Sequence, residues 1–544
     1  MRAELKNPEV VYRRRWLTLV VLCVSLMVIG LDNTILNVAL PTLAHGKDLG
    51  GLGASGSALQ WIVDSYTLVF AGLLLTMGSL GDRFGRYKFL TLGLVVFGTG
   101  SALSAFAPSA GILIMTRSLM GIGGACIMPG TLSILSNVFL DPGERARAIG
   151  VWAGVSALGV GIGPVAGGAL LTHFWWGSVF LVNVPIVIAA LVAGWFLVPN
   201  SKDPSAPRLD PLGALLSIVG LTALVWSIIE APSKGWGSAP IVGGLTFAAL
   251  VLAGFAAWEL HSDHPMLNVE FFRNPRFTAA STAVTLTFFA LFGSLFVITQ
   301  YLQTVLGYSA LAAGVRILPF AVVMMVLAPQ SAKVAERFGT KLVVFGGLVA
   351  VAAGLLIMLS ANVHSGYLPV FVSFVVMATG MAFTMAPATE SIMGSLPRDK
   401  AGVGSAVNDT TRQVGGALGV AIIGSVFSSV YADHLAAHLG SLHLPAQATA
   451  AAGSSVGGAL EVAGRVGGPV GQVVASSARE AFVAGMHQGL VVGAAVAVLG
   501  AFVALLFLPA RAPESADDAI VVDEANLFDL VPGEEAELLE GVTV

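Results

Sequence analysis

Long apolar runs separated by short polar turns fill this chain. A membrane-crossing helix needs about 20 largely apolar residues. On that measure the pattern predicts fourteen spans, at 16–40, 57–78, 89–107, 111–135, 144–170, 178–198, 209–230, 239–259, 277–303, 313–335, 340–360, 367–393, 402–430 and 482–508. Two polar, Pro-containing segments, 199–211 and 260–276, break the rhythm and bracket spans seven and eight. The chain therefore parses into a six-helix bundle over 1–200, two additional transmembrane helices with their linkers over 201–265, and a second six-helix bundle over 266–510. An all-α polytopic membrane protein is the expected fold class. The stretch 431–481 is rich in Ala, Gly, Ser and Val and reads as a long outer loop. A weakly amphipathic surface hairpin and a flexible linker fit it equally. The first run is too long and too polar for a cleaved signal peptide.

Composition sharpens this picture. Of 544 residues, 56% are hydrophobic and 11% charged, with a mean hydropathy of +0.85. Soluble domains carry about 25% charged residues, so a soluble enzyme is excluded as a class. The two cysteines, Cys23 and Cys126, both lie in apolar runs, and no disulfide framework is implied. The net charge of −4 conceals an asymmetry. Residues 511–544 hold ten acids and one base, Arg511, leaving 26 bases against 21 acids in the first 510 residues. That tail reads as a solvated, acidic cytoplasmic end.

Lys and Arg in short loops set orientation. With the N-terminus inside, 20 of the 27 bases fall in inner segments and four (Lys47, Lys234, Arg465, Arg479) outside. Both termini are accordingly expected in the cytoplasm.

Several charges stand inside spans, among them Asp32, Asp64, Arg117, Asp409 and Arg412. An Asp or Arg at mid-helix costs roughly 2.5–3.5 kcal/mol on insertion scales, so it should face a partner or a water-filled cavity. At about 1.5 Å per residue, Asp32 lies roughly 24 Å along its helix, and Asp64 and Arg117 roughly 10 Å below the outer surface. The three share a depth, so Arg117 can neutralise Asp32 or Asp64, either as a permanent ion pair or as one that protonation breaks. Asp409 is followed at i+3 by Arg412 and reads either as half of a local pair or as a second cavity carboxylate. Neighbouring Asn408 and the aromatic Trp61, Tyr66 and Tyr301 are candidates for binding a lipophilic cation. For each aromatic the competing reading is ordinary packing.

At the second inner turn stands Gly78-Ser-Leu-Gly-Asp82-Arg83-Phe-Gly85-Arg86-Tyr-Lys88. It resembles the signature loop between the second and third helices of the major facilitator superfamily, whose Asp and Arg latch the two halves on the cytoplasmic side. That resemblance implies gating roles for Gly78, Asp82, Arg83, Gly85 and Arg86. Three further blocks are similar to the fourteen-span drug:proton antiporters of that superfamily. They are Leu31-Asp32-Asn-Thr-Ile-Leu-Asn37-Val-Ala-Leu-Pro41, then Arg117-Ser-Leu-Met-Gly121-Ile-Gly123-Gly124, then the Gly154, Gly159, Gly163-Pro164, Gly167-Gly168 series. In the last, Pro164 removes a helix hydrogen bond and Gly163 permits close packing. Trp61-Ile-Val-Asp64-Ser-Tyr66 and Phe180-Leu-Val-Asn-Val-Pro185 look like the QacA-type quaternary ammonium exporter branch.

The resemblance implies two bundles of inverted three-helix repeats around a midplane cavity and ties Arg117 to proton transfer; the buried carboxylates Asp32, Asp64 and Asp409 are the proton-coupling candidates beside it, and Asp64 and Asp409 are also candidates for binding the cationic substrate. Two departures weigh against dicationic substrates: Asn408-Asp409 stands where such exporters often carry paired acids, and Ala321-Val-Val-Met-Met325 carries no acid. No phosphate-binding G-x-x-x-x-G-K-[ST] occurs. Gly51-Leu-Gly53-Ala-Ser-Gly56 matches a dinucleotide fingerprint, but no strand precedes it. No metal-ligand spacing and no nucleic-acid face is present. The expectation is a non-enzymatic, proton-coupled antiporter of lipophilic, cationic drugs or antiseptics. It would work as a monomer in a bacterial cell membrane, driven by the proton gradient without a cofactor. Alternatives are a same-fold exporter of an endogenous metabolite, lipid or self-made antibiotic, and a non-transporting sensor or scaffold.

Overall fold

The computed structural model describes residues 8–202, 210–262, 265, 269–395, 401–440, 442 and 444–509. The acidic tail 511–544 lies outside them. Thirteen helices among the described residues are long and apolar enough to cross a membrane. The amino-terminal half contains α1 (Pro8–Ala44), α2 (Gly56–Phe84), α3 (Arg86–Ala105), α4 (Ala110–Val138), α5 (Pro142–His173), the short α6 (Ser178–Leu181) and α7 (Asn183–Leu197). Then come α8 (Pro211–Lys234) and α9 (Ala239–His261). The carboxy-terminal half contains α10 (Pro275–Gln300), α11 (Ala310–Phe338), α12 (Thr340–Ile357), α13 (Leu368–Met393), α14 (Ala401–Leu439), α15 (Ala446–Ser454), α16 (Val456–Val466) and α17 (Gly468–Phe507).

Glycines bring the helices close. A methyl placed on Gly159 would lie 3.0 Å from the carbonyl of Met27, on Gly163 3.0 Å from that of Leu31, and on Gly167 3.0 Å from that of Ile35. The i, i+4 spacing on both helices lays α5 along α1 backbone to backbone. Gly161, Gly168 and Pro164 on another part of α5 meet Ala321, Leu311 and Gly314 of α11. One seam between the halves is thereby built from small residues. Between α2 and α3, Gly85 has φ +123°, which a side chain rarely adopts, and a Cβ there would sit 2.8 Å from Asn200 Oδ1.

The hydrogen bonds and ion pairs described between the two halves all lie toward the face opposite the amino terminus. There Gln303 Nε2 donates to the Val38 carbonyl at 3.0 Å and Gln60 Nε2 to that of Val420 at 3.5 Å. Gly46 N–H donates to Glu461 at 3.1 Å, and Arg465 pairs with Asp48 at 2.5 Å and Glu461 at 2.6 Å. This face is closed.

The expected outer loop 431–481 is a correction. It is neither a surface hairpin nor a linker: α14 and α17 run on into it, and α15 and α16 form a cap between them. Val456, Ala459, Val462 and Ala463 of α16 are buried in the main core, Gly457 packs on Ala44, and Tyr431 donates 2.9 Å to the Ala452 carbonyl. Small residues here serve close packing, whereas composition alone reads them as flexible.

Candidate functional site

Between the halves lies a narrow cleft whose empty space, mouth included, is about 370 Å³. Asn33, Leu36 and Asn37 of α1, Val63, Asp64 and Thr67 of α2, and Arg117 of α4 line one side; Phe292 of α10 and Gln413, Gly416 and Val420 of α14 line the other. The helices deliver these groups by periodicity. Asn33 and Asn37, like Gln413 and Gly416, are three or four residues apart and share a helix face.

Arg117 and Asp32 are both fully buried and form an ion pair. The remaining guanidinium contacts fix it in place. Its Nε donates to the Ile62 carbonyl at 3.1 Å, and its centre lies 4.5 Å from the Tyr66 ring. On the far side of Asp32, Asn183 Nδ2 reaches Oδ1 at 3.4 Å and also Ser101 Oγ at 3.1 Å. Such a pair holds only because several groups orient it, since desolvating both charges costs several kcal/mol per ion.

Asp64 is also fully buried, yet neither of its carboxylate oxygens has a hydrogen-bond partner. It faces the cleft instead. Of the two carboxylates that sequence places within reach of Arg117, the structure pairs Asp32 and leaves Asp64 to the cavity.

Other predicted residues fall elsewhere. Asp409 and Arg412 stand 3.8 Å apart, and Arg412 donates to Thr389 Oγ1 at 3.2 Å. Thr389 contacts Asn408 Oδ1 at 3.4 Å. Neither Asn408 nor Asp409 lines the cleft, although Asp409 precedes Gln413 by one turn on the same face of α14. Three aromatic assignments need correcting. Trp61 packs toward Val225, Ile228 and Ala417, away from the cleft. Tyr66 is buried beneath Arg117 against Phe70. Tyr301 is buried and donates to the Asn362 carbonyl at 2.8 Å. Each ring is committed to packing.

The predicted gate is likewise local here. Asp82 accepts from Arg86 Nε at 2.6 Å within the amino-terminal half, while Arg83 is exposed beside Phe84. No latch across the halves involves them among the described residues, because the contacts between halves lie at the other face. A methyl on Gly78 would stand 3.3 Å from Pro129, so Gly78 sets the α2–α4 spacing. Gly163 and Pro164 sit at the α1–α5–α11 junction described above.

Sequence reasoning passed over Asn33, Thr67, Gln413 and Asn183. The available signal was a polar side chain within an apolar run, the criterion that found Asp32 and Asp64.

The fold and its buried charges define a polytopic, non-enzymatic membrane transporter. The family description "Major Facilitator Superfamily" matches residues 22–420, and the chain belongs to that family. It is 40% identical over 414 residues to the "Multidrug efflux pump LfrA" of Mycolicibacterium smegmatis, spanning 76% of this chain and 81% of that one. The "Tetracenomycin C resistance and export protein" of Streptomyces glaucescens is 36% identical, with 76% of each chain covered. The "Methyl viologen resistance protein SmvA" of Salmonella typhimurium is 34% identical over 76% of this chain and 82% of its own. Among solved structures, a bacterial homologue of the human lysosomal transporter Spinster, in an inward-facing and unoccupied conformation, superposes with a TM-score of 0.61. It covers 90% of this chain and 98% of its own at 18% identity, a likeness of fold.

Proposed function

We propose that this chain is a proton-coupled antiporter that exports lipophilic, cationic drugs by alternating access. The observation that carries the reading is the bare, buried carboxylate of Asp64 in the cleft between the halves. A carboxylate can hold a proton or neutralise a cation, and the two compete. Asp32 and Arg117 supply the second element. Protonating Asp32 removes the charge that holds the guanidinium, and Arg117, already anchored two residues before Asp64 in α2, can turn to Asp64 and displace the cargo. Asp409, one turn from Gln413, would hold a second proton or receive the cation on its way.

In this reading α5, with 32 residues, is a further crossing and brings the count to fourteen. Two six-helix bundles then flank α8 and α9, both termini are cytoplasmic in a bacterial cell membrane, and a monomer runs on the proton gradient alone. The face closed by Arg465, Glu461 and Asp48 becomes the outer face. Asp82, Arg83 and Arg86 would latch the inner face in the opposite state.

A second reading, export of a self-made antibiotic, is supported by the relatedness to the tetracenomycin C protein. One assay addresses both: purified protein in liposomes under an imposed pH gradient, offered monocationic, dicationic and neutral lipophilic compounds. Gradient-dependent accumulation of monocations that Asp64→Asn abolishes is the expected result. Transport indifferent to the gradient, or intact in Asp64→Asn, would overturn the carboxylate mechanism.

A further inference from the structure

Three arginines stand inside spans: Arg117, Arg316 and Arg412. Two of them carry their own counter-charge, Arg117 in Asp32 and Arg412 in Asp409. Arg316 of α11 is different. Among the described residues no carboxylate pairs with it, and the hydrogen bond its side chain makes runs from Nη1 to the Ala312 carbonyl of its own helix, at 3.0 Å.

The surroundings of this cation are nevertheless organised. The guanidinium centre lies 3.8 Å from the ring of Tyr308, in the turn before α11, and 5.4 Å from that of Tyr367, just before α13. Tyr367 donates to the Arg316 carbonyl at 2.6 Å and ties the two helices together at this level. Nε is enclosed without a hydrogen-bond partner. Two ring faces and a backbone oxygen hold the charge in place, and neither neutralises it.

Depth and direction say what can. α11 begins at the closed face, shortly after Gln303, and its 29 residues make it about 43 Å long, the thickness of a bilayer with its headgroups. Arg316 lies six residues in, about 9 Å down the axis. The bond to Ala312 bends its side chain back toward the closed face, so the charge reaches the level where acyl chains meet headgroups. Around the axis Arg316 borders buried Ala313, Ile317 and Phe320 on one side and exposed Val315 and Val322 on the other. Phe371, one turn into α13 and in edge contact with Tyr367, is exposed too.

We infer that Arg316, Tyr308 and Tyr367 form a binding site for an anionic phospholipid of the leaflet at the closed face. Its phosphodiester supplies the counter-charge that the protein withholds, in a setting where guanidinium–phosphate pairing is strong. Its acyl chains lie along the apolar surface of Val315 and Phe371. A zwitterionic lipid brings the same phosphate with a cation of its own, which Arg316 repels, so the site favours a net negative headgroup. The inference needs the membrane fold and not the export reading; under the orientation proposed above, the leaflet is the outer one.

The test offers full-length protein in detergent phosphatidylglycerol or phosphatidylcholine of identical acyl chains, and reads bound lipid by native mass spectrometry and the unfolding midpoint. A preference of about tenfold for phosphatidylglycerol is expected, the worth of one charge-assisted hydrogen bond, together with a raised midpoint. Arg316→Gln should erase the preference, and Arg316→Lys should keep part of it, because the charge stays and the fork is lost. A preference that survives Arg316→Gln would place the lipid elsewhere and overturn the inference. Glycerol 3-phosphate separates a lipid from a free anion: it should leave the midpoint unmoved, and a shift equal to that of phosphatidylglycerol would sink the lipid assignment. Should Arg316→Gln fail to fold, labelling of the parent decides. Phosphatidylglycerol carrying a benzophenone high on one acyl chain should mark the peptides of Val315 or Phe371 well above its phosphatidylcholine counterpart; equal marking by both lipids, or marking confined to other helices, counts against the site.

Discussion

Arg117 spends its charge on Asp32, while Asp64, which lines the same cleft, goes unpaired. The two carboxylates therefore differ in kind, and their replacement should separate them.

Removing one member of a buried pair leaves the other uncompensated, at about 3–5 kcal/mol. Arg117→Met and Asp32→Asn should each lower the unfolding midpoint of the detergent-solubilised protein. The double variant should regain most of the loss. If the singles are as stable as the parent, the pair is not the anchor described here.

Asp64→Asn should behave in the opposite way. No hydrogen bond is lost, and the cost of burying a lone carboxylate, several kcal/mol when ionised, is lifted. A higher midpoint is expected alongside the lost coupling. A fall would mean that Asp64 has a structural partner in the folded protein.

Asn183 bridges Asp32 and Ser101 from α7. Asn183→Leu should cost about 1–3 kcal/mol by stripping donors from a buried charge, and Asn183→Gln should restore little because its longer arm displaces the amide. Thermal unfolding of the three proteins checks this.

Gly85→Ala should destabilise by about 1–3 kcal/mol, because φ is +123° and the new methyl meets Asn200. Asn200→Gly in the same chain removes the clash but not the dihedral strain, so only partial recovery is expected. Full recovery would assign the whole effect to sterics.

Much of this site could be read from sequence because charge within an apolar run is conspicuous: Asp32, Asp64 and Arg117 announce themselves, and residue counting puts them at one depth. Which carboxylate receives the guanidinium was not legible. That depends on the rotation of α1 and α2 about their axes, set for α1 by Gly159, Gly163 and Gly167 of α5 against Met27, Leu31 and Ile35, and for α2 by Gly121 of α4 against the Tyr66 carbonyl. Trp61 illustrates the same limit, since its aromatic character suits a cation and its helix face turns it to α8. Composition misleads over 431–481 because Ala and Gly signal looseness in a linker and tight contact in a packed cap. Among helices so uniformly apolar, periodicity cannot say which side looks inward.

The staple of Asp48, Glu461 and Arg465 ends in water: Asp48 and Arg465 side chains are 69% and 65% exposed. Such charges attract one another only as far as dissolved ions allow, about 8 Å at physiological ionic strength and about 3 Å at 1 M. The salinity of the medium on that side thereby acts on how readily the two halves part, without any molecule occupying the pathway.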